Sequence, residues 1–209
     1  MDALPRRRVA VLISGRGSNM ASLIEAASDP AYPAAVALVL SNRPGAGGLA
    51  HAAAASIATL VVDHKAFPDR ECFECALDRA LSEARAELVC LAGFMRVLTP
   101  SFVERWRGRM LNVHPSLLPL FKGLATHARA LAAGVRVHGC TVHYVVPELD
   151  SGPIVAQEAV PVRWDDTEAT LAARVLEAEH RLYPQALAAV AAGRIRLDGD
   201  RAIHIPESV

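Results

Sequence analysis

The sequence predicts an α/β fold: a doubly wound, Rossmann-like first half whose mixed sheet is continued by antiparallel strands in the second half. Three observations predict it. As far as Ala92, short apolar runs alternate with stretches rich in Ala, Leu, Glu and Arg, the pattern of parallel strands joined by crossover helices. A glycine turn, Gly15-Arg-Gly-Ser-Asn-Met20, joins the first run to the first helical stretch. After Met110, two stretches of alternating polarity are separated by Glu148-Leu-Asp-Ser-Gly152, turn chemistry that suits an antiparallel pair.

Taken in order, strands are expected over 8–14, 35–41, 59–62 and 88–92, with helices over 19–28, 47–56 and 69–84 between them. The stretch Met110-Leu-Asn-Val-His-Pro-Ser-Leu-Leu-Pro119 reads as a strand that stops at Pro115. Proline cannot continue a central ladder, and it biases His114 toward an extended backbone. A proline-bounded loop then leads to a short helix over 126–133 and to the alternating strands 138–146 and 153–162. A long helix over about 167–191 and a hairpin around 198–200 complete the chain. The sequence holds no internal repeat, low-complexity segment or interdomain linker, so one domain over 1–209 is expected.

Composition narrows the function classes. A chain of 209 residues buries an ample core in one domain. Lys plus Arg and Asp plus Glu number 22 each, and the formal charge of zero offers no overall attraction for nucleic acid or membrane. Small molecules are the expected partners, and no segment approaches a membrane span. The basic triplet at 6–8 runs straight into Val9-Ala-Val-Leu-Ile13 without the apolar region of a signal peptide, so the cytosol is the expected compartment. Cys72 and Cys75 form a Cys-Phe-Glu-Cys pair on an expected helix, but no second close ligand pair accompanies them. All four cysteines are read as ordinary reduced thiols, and no metal site is expected.

Candidate functional residues follow from spacing. In a strand, period 2 aims Met110, Asn112 and His114 at one face, so an amide and an imidazole point together at a strand's carboxyl end. They either satisfy neighbouring backbone groups or form a site. Asp150 alone would be a surface turn residue; beside His114 it supplies the carboxylate that fixes an imidazole's tautomer for acid–base work. In the glycine turn, Gly15 and Gly17 allow backbone to approach a ligand, and the start of the following helix favours a phosphate. Met20 stands where a dinucleotide fingerprint has its third glycine, and no P-loop lysine follows, so a single phosphomonoester is the better fit. A tight turn capped by Ser18 or Asn19 is the plainer reading. On the long helix Glu179 falls beside the apolar stripe of Leu171, Val175, Ala178 and Leu182, where a carboxylate needs a partner. A ligand hydroxyl, an internal arginine or a backbone group would each serve. Met95, Arg96, Val97 and Leu98 leave an apolar strand, where backbone edges could read a planar ring.

Long strings carry a more specific reading. LNVHPSLLP, FKGLATH, HGCTVHYV and ELDSGPI, with VLISGRGSNM and LAGFMRVLTPSFV upstream and ARVLEAEHRLYP downstream, resemble the glycinamide ribonucleotide formyltransferases of purine synthesis, which use 10-formyltetrahydrofolate. The resemblance covers nearly the whole chain. It implies that Asn112, His114 and Asp150 form the catalytic group, and that Gly17, Ser18, Asn19 and Met20 contact the ribonucleotide phosphate. It implies Glu179 for the ribose hydroxyls. For the folate it implies Met95, Arg96, Val97 and Leu98, Asn112, and the loop Val146, Pro147, Glu148, Leu149 and Asp150, with Arg70 meeting the glutamate tail. The division of labour is then a phosphate-binding half over about 8–110 and a catalytic and folate-binding half over about 111–209, acting as a monomer or weak homodimer without metal.

One departure stands out. The family commonly carries a histidine two positions before His127, where this chain has Ala125, which puts the order of the loop at 119–127 in question. His143, alternating with apolar neighbours, is expected to be hydrogen-bonded and structural. Two other functions fit the central residues: a formyltetrahydrofolate hydrolase, and a folate- or nucleotide-binding protein without catalysis. Methionyl-tRNA formyltransferase shares the core too, but its RNA-binding domain and basic balance are missing from this sequence.

Overall fold

A computed structural model describes residues 6–206. Seven strands form one sheet in the order β3-β2-β1-β4-β5-β6-β7. The strands β1 (Arg7–Ile13), β2 (Ala34–Ser41), β3 (Thr59–Val61), β4 (Leu88–Leu91) and β5 (Met110–His114) run parallel. β6 (Val137–Tyr144) and β7 (Ile154–Pro161) continue the sheet antiparallel, as the turn chemistry between them predicts. A separate two-stranded hairpin joins β8 (Ile195–Asp198) to β9 (Arg201–His204).

The central parallel strands β1 and β4 are buried on both faces, which is why they read as unbroken apolar runs, whereas the short edge strand β3 is exposed. Along β1, Val9, Val11 and Ile13 belong to one core, with α1 (Ser18–Ala27), α2 (Gly48–Ala54), α5 (Thr126–Ala132) and α6 (Glu168–Ala191). Ala10 and Leu12 belong to the opposite core, beneath α3 (Arg70–Glu83) and α4 (Pro100–Arg105). The long helix α6 is fixed to the sheet by the fully buried Tyr183, whose hydroxyl donates to the carbonyls of Leu91 in β4 (3.2 Å) and Leu111 in β5 (3.1 Å). Leaving those acceptors unpaired would cost about 1–3 kcal/mol.

α4 is an element the sequence reading did not anticipate. Six residues are too few for a helical period to show, but its start carries two local signals: Thr99 caps the amide of Phe102 and Pro100 sits in the first turn. A 3-10 turn over His64–Ala66 was not anticipated either; the other strands and α-helices fall within a residue or two of expectation.

The topology places the ligand-binding edge. β1 lies between β2 and β4, so the chain leaves the centre of the sheet in both directions, and a crevice opens at the carboxyl ends of these strands. The 15–20 turn after β1, the 93–99 segment after β4 and the end of β5 all border it. Ser14 ties two of them together: its hydroxyl accepts the amide of Met95 (2.8 Å) and donates to the Asn42 side chain (2.5 Å).

Candidate active site

The alternation along β5 behaves as its sequence predicts. Leu111 and Val113 enter one core and Met110 the other, so Asn112 and His114 share the Met110 face. His114 is held at both nitrogens. Its Nε2 lies 3.0 Å from the Phe121 carbonyl, to which it donates, and its Nδ1 faces Asp150 Oδ2 at 3.4 Å. The side chains of His114 and Asp150 are only 7 % and 8 % exposed, so solvent screens the pair poorly.

Asp150 reaches this position through an unusual backbone. It has φ of +48°, and its Oδ2 accepts the Gly123 amide at 2.8 Å. Two residues on, Gly152 is required: a Cβ there would sit 1.7 Å from the Tyr144 carbonyl oxygen. That close approach folds the connection between β6 and β7 so that the carboxylate turns inward.

His143 completes the group. Its Nδ1 donates to the Tyr144 carbonyl (2.9 Å), which leaves Nε2 as the acceptor for the Asn112 side-chain amide at 3.2 Å. Burial pushes this imidazole below its ordinary range, consistent with a neutral acceptor. The same Nε2 lies 3.9 Å from Asp150 Oδ1. His143 is therefore hydrogen-bonded, as expected, and also sits between Asn112 and Asp150, which its alternation alone did not reveal. The structure brings Asn112, His114 and Asp150 into one cluster with His143 between two of them.

At the start of α1 the alternative of a side-chain cap is overturned. Neither Ser18 nor Asn19 caps the helix; the cap position is Gly17, in the left-handed region at φ +74°, and no side chain accepts from the first turn. Gly17 also abuts Gly48, whose Cα would be 3.0 Å from an added Cβ. The first-turn amides thus remain without a side-chain cap, and Met20, fully buried, offers only its backbone. Among the described residues Glu179 pairs with neither an arginine nor a backbone group: its carboxylate accepts from the Asn19 side chain at 2.6 Å. Burial pushes its carboxyl up, with the Asn19 bond partly opposing. Beside this pair a groove of about 710 Å³ runs between α1 and α6, lined in part by Ser18, Ser22, His51, His180 and Arg181.

The 93–99 segment is pinned near each end. Met95 donates to Ser14, and Thr99 donates from its backbone (2.6 Å) and its hydroxyl to the buried carboxylate of Glu74. Between those anchors, the amides of Arg96, Val97 and Leu98 take no hydrogen bond among the described residues. The Leu98 side chain faces the core, while Met95 and Val97 are exposed. In the loop after β6 Leu149 is exposed, Val146 half-buried, and Pro147 and Glu148 exposed, with Glu148 3.6 Å from Lys122. Arg70 stands exposed in the first turn of α3, apart from the hydrogen-bonded cluster.

Ala125 is exposed and adopts φ +54°, ψ +38°, so the absent histidine leaves no hole in the core. All four cysteines are free. Burial pushes the Cys90 and Cys140 thiols up to about 12, and Asp69 beside Cys72 raises that thiol too. Among the described residues, no three His, Cys, Asp or Glu side chains gather as a metal cage, and no helix is long and apolar enough to cross a membrane.

A doubly wound sheet with an amide, imidazole and carboxylate cluster at one strand end, beside an uncapped helix start, defines the α/β class in which catalytic sites lie at the carboxyl edge of the sheet. The sequence profile described as formyl transferase matches residues 7–187, and the chain belongs to this family. It is 42 % identical over 200 residues to the phosphoribosylglycinamide formyltransferase of Escherichia coli (strain K12), covering 92 % of this chain and 94 % of that protein. It is 53 % identical over 190 residues to the trifunctional purine biosynthetic protein adenosine-3 of Gallus gallus; the match covers 91 % of this chain but spans only 19 % of that longer relative. The crystal structure of glycinamide ribonucleotide transformylase 1 from Symbiobacterium toebii superposes with a TM-score of 0.93 at 42 % identity, covering 96 % and 95 % of the two chains.

Proposed function

We propose that this chain transfers the formyl group of 10-formyltetrahydrofolate to the amine of glycinamide ribonucleotide, a step of purine biosynthesis. The observation that carries this reading is the buried His114–Asp150 pair beside Asn112 at the carboxyl end of β5. The names of the full-length bacterial relatives support the choice of substrates.

The substrate amine attacks the formyl carbon, a new C–N bond forms, and the carbonyl electron pair moves to oxygen. Asn112 donates to that oxyanion with the amide hydrogen that His143 does not take, a donor that typically lowers the barrier by about 3 kcal/mol, while His114, both of whose nitrogens are engaged, supplies positive charge beside it. Asp150 supplies the counter-charge to an imidazolium at His114 and accepts, directly or through water, the proton that the attacking amine loses. The intermediate collapses as the bond to the folate nitrogen breaks and that nitrogen takes up the proton the amine gave to Asp150, returned directly or through the same water, which leaves the carboxylate as it began. His143 keeps the Asn112 amide aimed, because its one free lone pair accepts from that group. The nucleophile belongs to the substrate, so no covalent enzyme intermediate is required.

The ribonucleotide phosphate meets the uncapped amides at 17–20, and its ribose hydroxyls meet Glu179 and Asn19. The pterin lies along 95–98, where the amides of Arg96, Val97 and Leu98 are free among the described residues, and along the loop 146–150, while Arg70 takes the glutamate tail. The protein acts in the cytosol as a monomer or weak homodimer, with small molecules as its partners and no metal.

The test is to incubate the protein with 10-formyltetrahydrofolate, with and without glycinamide ribonucleotide, and follow folate product and free formate. Loss of the formyl group only when the amine is present is expected. Formate release without the amine would make the protein a hydrolase, and binding without turnover would leave a folate- or nucleotide-binding protein.

A further inference from the structure

The loop at 119–125 touches both members of the His114–Asp150 pair, and it does so with backbone alone. The Phe121 carbonyl takes the His114 Nε2 proton and the Gly123 amide donates to Asp150 Oδ2. Such contacts position a ring and a carboxylate only if the backbone that makes them is itself fixed. This backbone is costly to fix: Phe121 and Ala125 have φ of +54° each, a region unfavourable to residues with a Cβ. Something outside the loop must hold it.

We infer that Arg129, on α5, is the positioning residue for the His114–Asp150 pair, acting through this loop. Its Nη1 donates to the Lys122 carbonyl at 2.6 Å, directly between the two backbone contacts, and reaches the Leu124 carbonyl at 3.5 Å. Its guanidinium lies over the Phe121 ring at 5.6 Å from the centroid. From the other side, Lys122 Nζ donates to Ser151 Oγ at 2.6 Å, next to Asp150 in the chain. The arginine therefore stacks on the residue whose carbonyl orients the imidazole and bonds the Lys122 carbonyl, which belongs to the same peptide group as the Gly123 amide that orients the acid. A lysine could donate one bond to a carbonyl, but it lacks the planar fork that bonds and stacks at once.

This inference rests on the formyl-transfer reading, and the experiment separates the two. In Arg129→Ala, kcat is expected to fall about tenfold, as loosened orientation of reacting groups does. KM for the ribonucleotide and for the folate should each stay within about twofold, because neither proposed binding region touches Arg129. Arg129→Lys should recover part of the lost kcat. In parallel, nitrogen-15 spectra of histidine-labelled protein without substrates should show the His114 Nε2 resonance shifted and broadened in Arg129→Ala and restored toward the wild type in Arg129→Lys. A wild type with no transfer activity would sink the functional reading, while the His114 resonance still decides the positioning role. A wild-type resonance in Arg129→Ala, or an unchanged kcat in an active protein, would overturn the inference. If Arg129→Ala does not fold, Arg129→Gln is read by the same two criteria.

Discussion

At the start of α1 the groups offered to a ligand are backbone amides, freed because Gly17 rather than a serine or asparagine occupies the cap position, whereas at the end of β5 they are side chains from β5, β6 and the loop that follows β6. The first region is made by neighbours in sequence and needs no charged side chain of its own. The second is made by Asn112, His114, His143 and Asp150, which only the sheet pairing brings together. Recognition of a permanent anion suits fixed dipoles, since the charge does not change during a reaction. Charge that appears and vanishes needs groups that can carry or pass a proton, and these must be held by neighbours. The two regions should accordingly fail in different ways: substitutions at the helix start should alter KM, and substitutions at the strand end should alter kcat.

The largest expected effect lies at the strand end. His114→Ala and Asp150→Asn should each lower kcat by at least about a hundredfold, the usual scale for losing an acid–base or oxyanion group. Steady-state kinetics with both substrates varied would check this. A near-normal kcat in either variant removes that residue from the chemistry.

The same contrast explains what could be read from the sequence. The glycine turn and the alternation of β5 are local patterns, so the turn before α1 and the shared face of Asn112 and His114 were visible as residue spacings. Asp150 needed a resemblance to join them, because no spacing links a loop after β6 to the end of β5. The role of His143 stayed hidden for a subtler reason: the direction of its Nδ1 proton, set by the Tyr144 carbonyl, is what makes Nε2 an acceptor for Asn112. Phe121 and Gly123 carried no signal at all, since they act through a carbonyl and an amide that every residue except proline possesses. The alternative of a side-chain cap for α1 fails although Ser18 and Asn19 are good capping types, because Gly17, in the left-handed region and close against Gly48, occupies the cap position.

Next in size is a substitution at the helix start. Ser18→Glu should raise the ribonucleotide KM about thirtyfold, since a carboxylate near the phosphate costs on the order of 2 kcal/mol at the effective dielectric of a protein surface. Folding should be unharmed, because an acid in the first turn favours the helix dipole. The folate KM is the internal control; an equal rise in both would show that the phosphate is not bound there and would erase the contrast between the two regions.

Glu179 sharpens the contrast by setting binding against stability. Glu179→Gln should raise the ribonucleotide KM about tenfold through weaker bonds to the ribose hydroxyls, with kcat nearly unchanged. Its effect on stability runs the other way. Burial raises the carboxyl above its ordinary 4.5, so the folded state binds the proton more tightly than the unfolded chain does. The penalty is absent in acid, where both states are protonated, and grows as pH rises from the unfolded value through the raised folded value. At neutral pH the glutamine variant should therefore melt higher than the wild type, by about 2–4 °C for each kcal/mol recovered at this chain length. The gap should close in thermal melts as the pH is lowered toward 4. A gap that widens in acid would mean that the carboxylate is stabilised, not penalised, by its surroundings.

The smallest effect tests the loop that serves the strand-end region. Ala125 is exposed, makes no side-chain cap for α5 and holds φ +54°, so its methyl group brings strain without packing. Ala125→Gly removes that strain, worth about 1–2 kcal/mol, but frees the unfolded chain by about 0.5–1 kcal/mol. A net gain of about 0.5–1 kcal/mol is expected, read as a rise in urea midpoint with an unchanged slope. kcat should move by less than about twofold, because Arg129, Gly123 and Phe121 keep their contacts whichever residue stands at 125. A loss of stability would mean that the left-handed turn at 125 is held by a contact of the alanine methyl. A large loss of kcat would mean that this position, and not Arg129, governs the geometry of His114 and Asp150.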